Sequence, residues 1–214
     1  VIFVHIPDGF LDPKVWVMAD LVGISYLAQA VRKTRKVLEN RQIPTLAVMA
    51  AFIFAAQMIN FPVAGGTSGH LLGGALATIL LGPWNAGIII TTVLVIQCLF
   101  FYDGGITALG ANVLNMAVIA PWVAYAVYQA STRFFKSRGG KVGGTFLASW
   151  FSVMVAALAC SVEIALSGYI PLKVVLPAMA GWHALIGVGE GVITAVVVSV
   201  VSQAWEMKAG EEKV

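Results

Sequence analysis

The chain has 214 residues, of which 59% are hydrophobic and 11% charged, with a mean hydropathy of +0.90. Soluble domains average about a quarter charged residues, so the composition excludes an ordinary cytosolic domain and a disordered chain, and it points to lipid as the solvent. The formal net charge of +3 comes from basic residues clustered between apolar runs. These read as topology signals, and no nucleic-acid partner is expected.

Asp8 and Asp12 precede the first apolar run without a cationic leader, so this segment is expected to stay in the mature protein. A transmembrane helix needs roughly 17 to 25 mostly apolar residues. Seven stretches approach that length, near residues 15–31, 43–60, 69–82, 84–101, 108–130, 145–167 and 181–202. They predict an all-α membrane protein: one integral domain over 1–214, a bundle of about seven transmembrane helices, with residues 1–14 folding onto one end. Arg32, Lys33, Arg35, Lys36 and Arg41 follow the first span, Arg133, Lys136, Arg138 and Lys141 the fifth, and Lys208 and Lys213 the seventh. Only Lys14 and Lys173 fall on the other side. The bias places the N-terminus outside and the C-terminus in the cytoplasm.

Along the chain, Asp20 in the first span and Glu163 in the sixth are costly if they face lipid, so they are expected to turn inward as hydrogen-bonding groups. Ala47, Ala51 and Ala55 form a small-residue stripe that suits close helix approach, either inside the bundle or against a partner subunit. Gly69 and Gly73 repeat that spacing at the third span. This span is the shortest, and it is preceded by the Gly-rich, polar run from Asn60 to Gly69. Non-helical backbone at membrane depth is tolerated where it is buried in protein or lines a cavity, and a short Gly-interrupted segment points to a binding site. Cys98 and Cys160 lie in apolar runs without metal-type spacing and read as core residues.

With this topology His5, His70 and His183 all fall at the outer end, His70 opening the third span and His183 the seventh. Asp103 and Asn112 flank the outer loop between spans four and five, and Glu190 lies about two turns inward of His183. Converging imidazoles suit nickel, copper, zinc or iron. Hydrogen-bonded helix-end histidines are the alternative, above all for His183.

Three runs carry a resemblance that extends over essentially the whole chain: His5-Ile-Pro-Asp-Gly-Phe-Leu, Gly65-Gly-Thr-Ser-Gly-His70-Leu-Leu-Gly-Gly74 and His183-Ala-Leu-Ile-Gly-Val-Gly-Glu190. Together they resemble the CbiM/NikM family, the substrate-specific S components of energy-coupling factor transporters for cobalt and nickel. The resemblance implies a multi-pass subunit of the prokaryotic inner membrane, connected with cobalamin biosynthesis. It would capture Ni2+ or Co2+ as transported substrate, without a cofactor. The implied partners are a membrane T component, two cytoplasmic ATPase subunits and a small auxiliary membrane subunit, with Ala47, Ala51 and Ala55 a candidate contact for the T component.

The resemblance further implies metal ligation by the amine of Val4, the amide and imidazole of His5, and the imidazole of His70, which makes residues 1–14 a metal-binding segment. Consecutive chelate rings through amine, amide and imidazole favour a near-planar site, which suits Ni(II) or Cu(II) over tetrahedral Zn(II). Val4 stands where the family has its initiating methionine, so translation is expected to begin there. Amine and amide lose protons on binding, so affinity is expected to fall with pH. Asn60, Ser68, His183 and Glu190 are candidates for orienting the ligands through hydrogen bonds.

Two other functions are compatible with parts of the chain. The run Gly66-Thr-Ser68-Gly69 matches the Gly-x-Ser-Gly of rhomboid-like intramembrane serine proteases, with His183 as the base for Ser68. In those enzymes, however, the serine opens the fourth helix of a six-helix core, whereas Ser68 precedes the third span. A stand-alone secondary metal transporter is the nearer alternative. The sequence has no Gly-x-x-x-x-Gly-Lys-Ser/Thr phosphate loop, so the chain is expected to be no enzyme and to leave ATP hydrolysis to partners.

Overall fold

The computed structural model describes residues 5–36, 39, 42–59, 61–63 and 67–211. Helix α1 (Pro13–Thr34) starts where Asp12 accepts from the Lys14 amide at 2.9 Å and Pro13 supplies a preset helical φ. It is followed by α2 (Ile43–Met58), a short antiparallel hairpin of β1 (Phe61–Val63) and β2 (Thr67–Gly69), and the eight-residue α3 (Gly74–Leu81). Gly82 separates α3 from α4 (Pro83–Phe101). Helix α5 (Leu109–Val113), a π-helical turn (Leu114–Ile119) and α6 (Ala120–Phe134) form one continuous rod, followed by α7 (Arg138–Leu166) and α8 (Leu172–Glu211).

Five of these rods are long and apolar enough to cross a membrane: Pro13–Thr34, Pro83–Phe101, Leu109–Phe134, Arg138–Leu166 and Leu172–Trp205. Large apolar side chains such as Met18, Ile24, Leu185 and Val200 are more than half exposed. Small ones such as Ala77, Ala86, Ala120 and Ala148 are fully buried, as expected when lipid is the solvent and close helix contact the source of cohesion. The helical class and the order of the apolar stretches agree with the sequence expectation.

Several details differ from it. Helix α8 begins at Leu172, nine residues ahead of the expected start, because Pro177 sits inside it and does not break it. Pro177 and Lys173 are both exposed, so the Lys173 carbonyl left without an in-helix donor lies on an open face. His183 is therefore about 16 Å into the helix and does not open it. Helix α7 likewise starts seven residues early, capped by Ser137, whose Oγ accepts from the Gly140 amide at 3.1 Å. Gly69 and Gly73 form no helical stripe, since Gly69 ends β2 and Gly73 precedes α3 with φ +75°.

Asp20 and Glu163 face inward and are hydrogen-bonded, as expected. Asp20 Oδ1 accepts from the Gly110 amide at 2.9 Å, so α1 caps the first turn of α5 across the interface. A methyl group at Gly110 would overlap Asp20, which explains a glycine there. Glu163 accepts from Asn115 Nδ2 at 2.6 Å. Asn115 lies in the π turn, whose wider winding precedes Pro121 and relieves the clash a proline ring makes with the preceding helical turn. At the far end of α1, Thr34 Oγ1 donates to Asn85 Oδ1 at 3.0 Å, so Arg35 and Lys36 after α1 and the start of α4 share the end of the bundle opposite His5 and Asp103. Replacing Asp20 with Ala removes the cap and leaves the Gly110 amide unpaired, and it should cost roughly 1–2 kcal/mol, read as a lower melting temperature in detergent.

Candidate functional site

Residues 5–12 lie across the loop between α4 and α5 and are tied to it at successive positions. The His5 amide donates to Asp103 Oδ1 at 3.4 Å, and His5 Nδ1 lies 3.5 Å from Asp103 Oδ2. Asn112 holds the next residue at both ends, its Oδ1 accepting from the Ile6 amide at 3.0 Å and its Nδ2 donating to the Ile6 carbonyl at 3.2 Å. The Gly105 amide donates to the same carbonyl at 2.9 Å. Asp8 Oδ1 accepts from the Thr107 amide at 2.8 Å and from its hydroxyl at 2.6 Å. Ile6 and Leu11 are buried beneath this tether with Ala19, Ala108 and Val175.

Across from His5 stands His70. Both imidazoles are buried, and their ring centroids are 5.0 Å apart at an interplanar angle of 65°. His70 Nδ1 lies 2.9 Å from the Leu71 carbonyl, so this nitrogen carries the proton and Nε2 carries the lone pair. That is how metal-ligating histidines are usually oriented. His5 Nε2 is buried and makes no hydrogen bond among the described residues, which fits a nitrogen kept for a ligand.

The loop bearing His70 is non-helical and is gripped from two sides. Glu190 on α8, 2% exposed, accepts from the Leu72 amide at 2.6 Å and from the Gly73 amide at 3.0 Å. Gln57 on α2, with no exposed surface, donates from Nε2 to the Leu72 carbonyl at 2.8 Å. Glu190 is thus a clamp on the backbone of this loop. His183 Nδ1 lies 2.9 Å from the Met179 carbonyl of its own helix.

Sequence reasoning missed Gln57, because a neutral amide within an apolar run raises no charge signal. The available signal was its rarity, as it is the single amide side chain in Ile43–Met58. Val4, Asn60 and the side chain of Ser68 lie outside the described residues. The backbone of Ser68 pairs with Pro62 in the hairpin, so it does not open a helix as a rhomboid-type nucleophile would. Among the described residues, no group of three His, Cys, Asp or Glu side chains is arranged to hold a metal ion. A site at His5 and His70 therefore requires further donors, such as backbone nitrogens.

The profile of the CbiM family, described as a cobalt uptake substrate-specific transmembrane region, matches residues 5–207. The chain is 47% identical to a putative fused nickel transport protein, NikMN, of Archaeoglobus fulgidus, over 94% of this chain and 66% of that protein, so it spans just under two thirds of that relative. It is 40% identical to a putative metal transport protein of Haloquadratum walsbyi, over 94% of this chain and 90% of that protein. A crystal structure of a truncated transition metal transporter superimposes with a TM-score of 0.88 at 36% identity, covering 94% of this chain and 99% of that one.

The hydrogen bond from Thr107 holds the Asp8 carboxyl below the usual carboxylate range. A group whose pKa falls on folding contributes stability above its unfolded value and loses that contribution as pH drops through the folded one. Replacing Asp8 with Ala should therefore lower the melting temperature at pH 7, and the gap from the parent protein should close on acidification below about pH 4.

Proposed function

The chain belongs to the CbiM family, and from that membership we propose that it is the cargo-binding membrane subunit of an uptake transporter for Ni2+ or Co2+. The observation that supports this most is the pair of buried imidazoles, His5 and His70, 5.0 Å apart and carried by separately anchored backbone segments. The cargo is held between them, with the amine of Val4, as the first residue of the mature chain, and the amide and ring nitrogens of His5 on one side and His70 Nε2 on the other. Four nitrogens with a chelating backbone favour a near-planar site, a geometry that Ni(II) accepts well. To free the His5 amide for the ion, its hydrogen bond to Asp103 is given up, and that carboxylate takes the displaced proton or pairs with the ion's charge.

The subunit lies in a prokaryotic inner membrane with the His5 end outward, the orientation favoured by the basic segments. Energy comes from partners: a membrane T component, two cytoplasmic ATPase subunits and a small auxiliary membrane subunit. This is supported by the lack of a phosphate loop in the sequence. Ala47, Ala51 and Ala55 are all exposed along one side of α2, so this stripe is not spent on packing within the chain and is available to the T component.

Titration calorimetry of the purified protein with Ni2+ and Co2+ tests the site. Substitution of His70 by Ala should abolish binding of both ions, and unchanged affinity would refute the assignment. Uptake in proteoliposomes tests the energetics. Transport should require the ATPase subunits, whereas ATP-independent accumulation by the chain alone would identify a secondary transporter built on the same site.

A further inference from the structure

Helix α2 makes unusual use of its buried surface. Its two buried residues are Ile53 and Gln57, one turn apart on one face, and both meet the loop that carries His70. Gln57 donates to the Leu72 carbonyl at 2.8 Å. Ile53 lies beneath Gly73, where a Cβ would come within 2.9 Å of its Cγ1. Gly73 is in the left-handed conformation at φ +75°, so the loop turns into α3 at the point of contact with Ile53. Elsewhere α2 rests on the bundle through the half-buried Leu46, Met49, Ala50 and Phe54, the last packing edge-on against Phe101 of α4 at 5.1 Å. Val48, Phe52 and Ile59 are exposed, as is the alanine stripe.

The backbone at Leu72 and Gly73 is thus held by α8 through two amides and by α2 through a carbonyl and a side-chain contact. The α8 grip comes from a buried carboxylate on a helix firmly packed along α7, where Ser149 meets Thr194 and Trp150 Nε1 donates to the Ala184 carbonyl at 3.1 Å. The α2 grip comes from a peripheral helix whose outer face, with Ala47, Val48, Ala51, Phe52 and Ala55, is open.

We infer that Gln57 is a positioning residue which, with Ile53, transmits the placement of α2 to the His70 imidazole and so sets the affinity for the transported cation. This rests on the proposal that His70 is a ligand. The mechanism is a rigid path of two residues: Leu72 carries the hydrogen bond, and His70 lies two positions before it, its ring fixed by the Leu71 carbonyl. Any shift of α2 that lengthens the Gln57 bond releases one side of the loop while Glu190 keeps the other.

The test compares Gln57→Met, which keeps the volume and removes the donor, with Ser161→Ala, which removes a buried hydroxyl that donates to the Ala157 carbonyl of its own helix. Calorimetry with Ni2+ should show about 10- to 100-fold weaker binding for Gln57→Met and parental affinity for Ser161→Ala. The Ni(II) absorption bands should shift in Gln57→Met, and amide exchange at Leu72 and Gly73 should accelerate without added metal. Ile53→Ala removes the second contact and should give the same signature, so it carries the test if Gln57→Met does not fold. Parental affinity and spectrum in a folded Gln57→Met protein would overturn the inference, as would weakened binding with unchanged exchange at Leu72 and Gly73. The His70→Ala control separates the two claims: if it retains parental affinity, the ligand assignment fails, and if it abolishes binding while Gln57→Met does not weaken it, only the role of Gln57 fails.

Discussion

Non-helical backbone inside a membrane bundle must find its hydrogen-bond partners within the protein, and here that requirement falls on the peptides at Leu72 and Gly73. The Glu190 carboxylate takes both amides and Gln57 takes the intervening carbonyl. Without those partners the loop would either wind into helix, which would turn His70 away from His5, or leave polar groups unpaired at a cost of about 1–3 kcal/mol each. The shortness of α3 follows, because the loop occupies the depth that a full span would use. The depth of Glu190 follows from the length of α8, which carries it eighteen residues below Leu172.

The opposite wall of the site is built by different means. Residues 5–12 have no regular structure of their own and are fixed by Asp103 and Thr107 of the α4–α5 loop and by Asn112 of α5. The rod that begins at α5 is in turn oriented by Asp20, an acid from α1 that caps it. Two histidines 65 residues apart in sequence thereby meet with each backbone independently restrained. In the proposed function this arrangement asks little of the side-chain inventory, since backbone nitrogens would complete the donor set.

Much of this was legible in the sequence, for physical reasons that differ by residue. The spans at 84–101 and 108–130 were readable because Gly82-Pro83 and the polar run around Asp103 punctuate them sharply. Asp20 and Glu163 were readable as inward-facing because a carboxylate in lipid needs a partner. The start of α8 was not, because a proline three turns from the site looks like a stop signal, yet on an exposed face it costs the helix little. The early start of α7 was hidden by Arg138 and Lys141, whose charged ends lie in the exposed first turns of a capped helix. The π turn leaves no periodic trace in so short a stretch. At the site, His5, His70, Asp103, Asn112 and Glu190 were all marked by their scarcity in an apolar chain, whereas Gln57, uncharged and surrounded by apolar residues, was not.

The central claim is that the cation is held by nitrogen donors contributed jointly by the His5 segment and His70. X-ray absorption at the nickel edge, on the protein beginning at Val4 and loaded with one equivalent of Ni2+, tests it most directly. The account predicts a four-coordinate, near-planar first shell of nitrogen with the outer scattering of two imidazoles. A six-coordinate shell of oxygen, or a sulfur contribution from Cys98 or Cys160, would contradict it.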